Sequence, residues 1–193
     1  MKLYLFDFDG TISSKDSMIH FFLFIYPKHL FILKSLACTP LLFLYCLGVH
    51  EKDYIKSEIL KVFLAQFSKN ELNQFASQFS IFFDQYLKKN AKSFIADLVS
   101  SNSNKVYLVS ASLDIWMEPI AKELNVHLIS TRSLFQNERF DGISGKNLYG
   151  GEKATRIQEV IDLNNFEKIY AFGDTSGDFE MLELADLKYF KYF

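Results

Sequence analysis

Lys2-Leu3-Tyr4-Leu5-Phe6-Asp7-Phe8-Asp9-Gly10-Thr11-Ile12 passes from an apolar run into two acids and a glycine. Leu3 to Phe8 has the composition of a parallel strand buried on both faces. Acids on alternate positions of a strand point to one side, so Asp7 and Asp9 are expected to address the same space. That space lies beyond the carboxyl end of the strand, where doubly wound sheets bind their ligands.

Outward from this stretch, strands and helices alternate. Lys105 to Ser110 reads as a second buried strand, and Ile115, Met117, Ile120, Ala121 and Leu124 follow at helical spacing. Val126 to Ser130 is a third strand, followed by a polar hairpin or loop from Phe135 to Gly151. Ala154, Ile157, Val160 and Ile161 mark another helix. Lys168 to Phe172 is a fourth strand, Asp178 to Ala185 a short helix, and Leu187 to Phe190 a last strand. Such alternation predicts an α/β fold with a doubly wound parallel sheet. Ser17 to Gln85 carries no strand signal. It reads as helix broken at Pro27, Pro40 and Gly48, and hence as a helical cap inserted after the first strand. The expected division is a core of residues 1–16 and 91–193 with a cap of residues 17–90.

The fourth strand also ends in acids, in Phe172-Gly173-Asp174-Thr175-Ser176-Gly177-Asp178. Four carboxylates meeting at one sheet edge would repel each other without a cation, and hard oxygen ligands suit Mg²⁺. Ser110-Ala111-Ser112 is read as following the second strand and opening a helix, where a hydroxyl and free backbone N–H groups form an anion site. Gly150-Gly151-Glu152-Lys153 places a cation in the first turn of a helix, against the helix dipole. Contact with an anion in the crevice accounts for that lysine better than helix stability does.

Asp7-x-Asp9-x-Thr11, Ser110, Lys153 and Gly173-Asp174-x-x-x-Asp178, in this order, resemble the haloacid dehalogenase (HAD) superfamily. The resemblance covers residues 1–16 and 91–193. The cap position and the Gly-Asp-Thr-Ser-Gly-Asp form are similar to the subgroup that contains phosphoserine phosphatase and a bacterial phosphatidylglycerophosphate phosphatase. It implies Asp7 as a nucleophile that forms an aspartyl phosphate, and Asp9 as general acid and base. It implies Mg²⁺ held by Asp7, the Asp9 backbone carbonyl and Asp174, with Asp178 as an outer ligand or as the group orienting Lys153. Thr11, Ser110, Ala111 and Lys153 would bind the phosphoryl oxygens. An acid at the Asp9 position separates phosphatases and phosphotransferases from dehalogenases, which lack it, and from ion pumps, which carry Thr.

The cap bears on substrate. Phosphoserine phosphatases carry an acid nine residues after the nucleophile, here Asp16, for the substrate amine, and a cap arginine for its carboxylate. This cap has no arginine; the three in the chain are Arg132, Arg139 and Arg156. From Ile19 to Val49 the only formal charges are Lys28 and Lys34, and no acid stands between Asp16 and Glu51. One reading is a cap that touches a membrane surface, which favours a lipid-like phosphate substrate; the other is ordinary helix packing and a small phosphorylated metabolite. Ser35 to His50 is uncharged but short of the ~20 residues that a spanning helix needs.

Composition excludes other classes. With 49% hydrophobic and 23% charged residues the chain can build a packed core. Lys+Arg 21 against Asp+Glu 23 gives a net charge of −2, which argues against a nucleic-acid partner. Cys38 and Cys46 read as reduced core thiols, and the chain opens directly into a strand, so a cytoplasmic location is expected, with membrane contact through the cap on the first of the two readings. Trp116 and the stripe Phe79, Ile81, Phe82, Phe83 and Tyr86 are expected in the core. The four histidines show no ligand spacing.

Overall fold

A computed structural model describes all 193 residues. The strands are β1 (Lys2–Phe6), β2 (Asn104–Leu113), β3 (His127–Gln136), β4 (Arg139–Ser144), β5 (Lys168–Gly173) and β6 (Leu187–Phe190). They form one sheet in the order β4-β3-β2-β1-β5-β6, parallel throughout except for β4. Strand β1 is central: Leu5 pairs with Tyr107 of β2 on one side and Ala171 of β5 on the other. Its apolar run follows from this, since alternate residues enter different cores. Tyr4 and Phe6 join the larger core, and Leu3 and Leu5 the one on the opposite face.

Between β1 and β2 lie α1 (Ser17–Ile25), α2 (Lys28–Ala37), α3 (Thr39–Cys46), α4 (Lys52–Leu64), α5 (Lys69–Phe83) and α6 (Lys89–Val99). Helices α7 (Asp114–Glu123), α8 (Gly151–Val160) and α9 (Phe179–Glu183) follow later strands. Pro27 caps α2, and Gly48, with φ of 69°, separates α3 from α4. Pro40 starts a helix rather than ending one, because it occupies the first turn of α3, where its missing N–H costs nothing. A further break, before α5, is made by Ser68 and Glu71, which form a reciprocal capping box.

The high phenylalanine content fills the larger core. Phe6 stacks on Phe172 with centroids 4.4 Å apart, Phe22 on Phe63 at 4.1 Å, and Phe21 on Trp116 at 4.9 Å. Each such ring, when fully buried, contributes about 1.5–3 kcal/mol over exposure. Trp116, Phe79 and Phe83 are buried as expected, but Ile81 and Phe82 are 75% and 38% exposed because they lie on the outer side of α5. Only one of the thiols is in the core: Cys38 is buried and Cys46 exposed, both free.

No residue of α2 or α3 is buried. Ile32, Leu33, Leu36, Phe43, Leu47 and Val49 are each more than half exposed, and together they form an apolar ledge. The helical stretch Lys28–Cys46, turning at Cys38, spans 19 residues and is long and apolar enough to cross a membrane by length and composition. It starts earlier than the uncharged segment because Lys28 and Lys34 lie within it.

The helical excursion leaves and rejoins the sheet at one place. Ser14 N–H donates to the Tyr86 carbonyl at 2.9 Å, Lys88 N–H to the Ile12 carbonyl at 2.9 Å, and Ser13 pairs with Leu87.

Two strands differ from expectation. β3 continues to Gln136 and forms a hairpin with β4 through Asn137 and Glu138, both at positive φ as a tight two-residue turn demands. β2 continues past Ser110 to Leu113, so the Ser110 motif does not open a helix; α7 begins at Asp114. The β2–β3 register shifts between Ser110 and Leu113, which pushes Ala111 and Ser112 out of the ladder.

Candidate active site

The carboxyl ends of β1, β2 and β5 converge. Asp7 follows β1 directly, its N–H donating to the Phe172 carbonyl at 2.9 Å. Gly10, at φ of 89°, lets the chain turn beneath Asp174, whose carboxylate occupies the space a Cβ would need. The ligand oxygens of Asp7, Asp174 and Asp178 lie within 4.8 Å of one another. Lys153, at the start of α8, buries its side chain to 2% exposure and places Nζ 2.6 Å from Asp7 Oδ1 and 2.6 Å from Asp178 Oδ1. The cation that opposes its helix dipole thus faces two anions. Asp178 Oδ2 accepts from the N–H groups of Asp174 at 3.1 Å and Thr175 at 3.0 Å. Thr11 Oγ1 donates to Asp174 Oδ1 at 3.2 Å.

Asp9 does not join this group. Its Oδ1 accepts from Ser17 N–H at 2.7 Å, and its Oδ2 from Ser112 Oγ at 2.8 Å. β1 ends at Phe6, before either acid, so the two carboxylates take different partners, yet both line one cavity. Ser110 is 1% exposed, and its hydroxyl accepts from Ser112 N–H at 3.1 Å. Asp16 is exposed at the rim, where Oδ1 caps α1 by accepting from Ile19 N–H at 2.9 Å.

A cavity of about 230 Å³ opens over Asp7, Asp9, Asp16, Ser112 and Lys153. Lys56 of α4, absent from the sequence expectation, closes it from the helical side, with Nζ 2.7 Å from the Ala111 carbonyl and 2.6 Å from Asn147 Oδ1. Met18, Lys56, Ala111 and Tyr149 also line an adjoining cleft of about 300 Å³ whose other walls include Leu42, Tyr45, Ile55 and Ile59. The arginines are elsewhere: Arg139 binds the Gln66 carbonyl at 2.6 Å, and Arg132 lines a separate pocket with Arg156.

Burial pushes the Asp7 carboxyl up to about 6; Lys153 pulls it down, and Asp178 and Asp174 push it up again. Burial likewise raises Asp9 to about 7, with the Asp16 charge adding to it and the Ser112 bond opposing. Burial works against charge on Lys153 and Asp178 too, but it is outweighed: Asp7 and then Asp178 raise Lys153, and Lys153 with the Thr175 and Asp174 N–H groups lowers Asp178. The asymmetry has a simple origin: Lys153 has two carboxylates, whereas Asp7 has one ammonium and two like charges. Burial lowers Lys56 to about 8.

One ammonium against three carboxylates leaves excess negative charge in a largely buried corner. The all-oxygen donor set of Asp7, Asp174 and Asp178 fits a hard divalent cation, which would relieve that excess.

Residues 4–183 match the haloacid dehalogenase-like hydrolase family. Protein CicA of Caulobacter vibrioides is 30% identical over 195 residues, covering 99% of this chain and 86% of its own. Among solved structures, a Bordetella pertussis Tohama I protein of unknown function superposes with a TM-score of 0.80 at 23% identity, over 95% of this chain and 86% of that one. A phosphoserine phosphatase captured as a phospho-aspartyl intermediate analogue superposes with a TM-score of 0.65 at 16% identity, over 97% and 84%. The chain belongs to the haloacid dehalogenase-like hydrolases, and its fold is shared with phosphoserine phosphatase.

Proposed function

We propose that the chain is a Mg²⁺-dependent phosphomonoester hydrolase that works through an aspartyl phosphate on Asp7, with residues 1–16 and 91–193 as its core and 17–90 as its cap. The observation that carries this reading is the buried Lys153 bridging Asp7 and Asp178 at 2.6 Å beside Asp174. Asp7 attacks phosphorus; the bond to the leaving oxygen breaks, and Asp9 gives that oxygen a proton. Water then attacks phosphorus, Asp9 takes its proton, and the bond to Asp7 breaks to release phosphate. Thr11, Ser110, the Ala111 N–H and Lys153 hold the phosphoryl oxygens, and Asp178 orients Lys153. Asp7, the Asp9 carbonyl and Asp174 are the groups that would hold Mg²⁺, which supplies neutralisation of phosphoryl charge when bound.

The cation makes a stability prediction. The folded Asp7 binds its proton more tightly than an unfolded aspartate, so without metal its contribution to stability falls as pH rises from about 4 through about 6. Mg²⁺ competes with that proton. Its expected effect is a rise in Tm that is larger at pH 8 than at pH 5, read by thermal melts with MgCl₂ against chelator. Equal shifts at both pH values would remove Asp7 from the ligand set.

For substrate, the reading is a lipid-like phosphate such as phosphatidylglycerophosphate, met at a membrane surface. The apolar cleft beside the polar cavity and the exposed ledge of α2 and α3 support it. Phosphoserine or another small metabolite is the second reading, supported by Asp16 at the cavity rim. Phosphate release from phosphatidylglycerophosphate in mixed micelles is expected to exceed that from phosphoserine by at least about tenfold in kcat/KM, the scale of a filled apolar subsite. The reverse preference would assign the ledge to packing. Capture of the phosphoryl group by added alcohols in place of water would make the enzyme a phosphotransferase.

A further inference from the structure

Behind Asp9 stands a closed set of hydrogen bonds that phosphoryl binding does not use. Ser17 Oγ lies 3.0 Å from Asp9 Oδ2, 2.9 Å from Ser112 Oγ and 3.2 Å from Trp116 Nε1. Ser17 and Trp116 are fully buried and Ser112 is 6% exposed, so water does not compete. An indole N–H can only donate, so Ser17 Oγ accepts from Trp116, and its one proton must go to Asp9 or Ser112. Ser112 Oγ also reaches Oδ2, at 2.8 Å. A carboxylate oxygen has two acceptor positions, and at Oδ2 two hydroxyls face them. Oδ1 takes one bond, from Ser17 N–H at 2.7 Å, and keeps a position open.

We infer that Ser17, with Ser112 and Trp116, is a positioning residue that fixes the Asp9 carboxyl so that Oδ1 is the oxygen that exchanges a proton with substrate. The inference rests on the reading of Asp9 as general acid. It also ties that acid to both sides of the cavity. Ser17 is the first residue of α1, Ser112 sits in the irregular stretch of β2, and Trp116 is in the first turn of α7. The bulge after Ser110 thereby acquires a purpose, since it brings the Ser112 hydroxyl to Asp9.

Leaving-group dependence separates this role from a structural one. An alkyl phosphate needs a proton on its departing oxygen, whereas p-nitrophenolate leaves without one. Ser17→Ala is expected to lose about 10²-fold in kcat/KM on an alkyl phosphate, the lower range of general-acid contributions, and at least about tenfold less than that on p-nitrophenyl phosphate. Trp116→Phe keeps the ring on Phe21 and removes only the N–H, so it should show the same selectivity at smaller amplitude. It and Ser112→Ala carry the test if Ser17→Ala does not fold. Asp9→Asn is measured alongside. If Asp9→Asn is selective for the alkyl phosphate but Ser17→Ala, Trp116→Phe and Ser112→Ala lose equally on both substrates, the positioning role is overturned and the acid stands. If Asp9→Asn itself loses equally on both, the acid assignment falls and the positioning role with it.

Discussion

Asparagine in place of Asp7 is expected to end turnover while leaving the metal-free protein at least as stable as before. Removal of a covalent nucleophile from a site whose other parts survive costs on the order of 10⁴–10⁶ in kcat. Stability moves the other way. A folded value near 6 in place of 3.8 means that the surroundings disfavour the Asp7 anion even after Lys153 has drawn it down. At pH 7.5 that opposition is of order 3 kcal/mol. The replacing amide carries no charge to desolvate and does not repel Asp178 or Asp174. Equilibrium unfolding in chelator should therefore place Asp7→Asn level with or above the parent at pH 7.5. At pH 4.5 any advantage shrinks, because most Asp7 is by then protonated in the folded state. A clear loss of stability at pH 7.5 would mean that the Lys153 pair outweighs burial and repulsion together.

Loss of the cation should do the opposite. Lys153→Met keeps much of the buried stem and strips Asp7 and Asp178 of their shared ammonium. Breaking a buried pair from one side costs about 3–5 kcal/mol, which for a chain of this size corresponds to a fall in Tm of about 10 °C. The penalty belongs to stranded carboxylates, so it should ease as pH is lowered towards 5. Asp178→Asn introduced into the Lys153→Met protein should recover part of it, in a non-additive manner. The same fall in Tm at pH 5 and pH 7.5 would assign the loss to packing. Turnover is expected to be lost in either case, since Lys153 lies against Asp7, the proposed nucleophile.

The parts of this molecule that sequence reveals are those where a local pattern and a global demand coincide. β1 is legible because a strand paired on both sides must be apolar on both faces, but its end is not, since Asp7-Phe8 continues the pattern that the structure stops at Phe6. Lys153 is legible because a cation in the first turn of a helix is electrostatically out of place. Lys56 is not. It reaches the Ala111 carbonyl from a helix far away in sequence, and nothing in its neighbourhood on α4 distinguishes it from a solvated lysine. Ser17 is hidden for a related reason, since its contacts to Asp9 and Trp116 exist only once helix and sheet have met. The extension of β2 through Leu113 escapes because the register shift spoils the alternation that would mark it. One further signal is open to inspection: Ser68-Lys69-Asn70-Glu71 has the form of a capping box and announces the start of α5.

The narrow ribbon of Ser13 and Ser14 against Tyr86, Leu87 and Lys88 closes the helical excursion at its base. Everything between those points is one contiguous excursion whose two ends are stitched together by backbone groups. Closing such a loop costs free energy that grows only with the logarithm of its length. Length alone therefore puts little strain on the junction, but composition is constrained, because Phe21, Phe22, Phe63, Phe79 and Phe83 share one core with Phe6, Trp116 and Phe172. Any replacement for this stretch would have to keep a residue that does what Ser17 does, since the sheet edge borrows part of its hydrogen bonding from the first turn of the excursion.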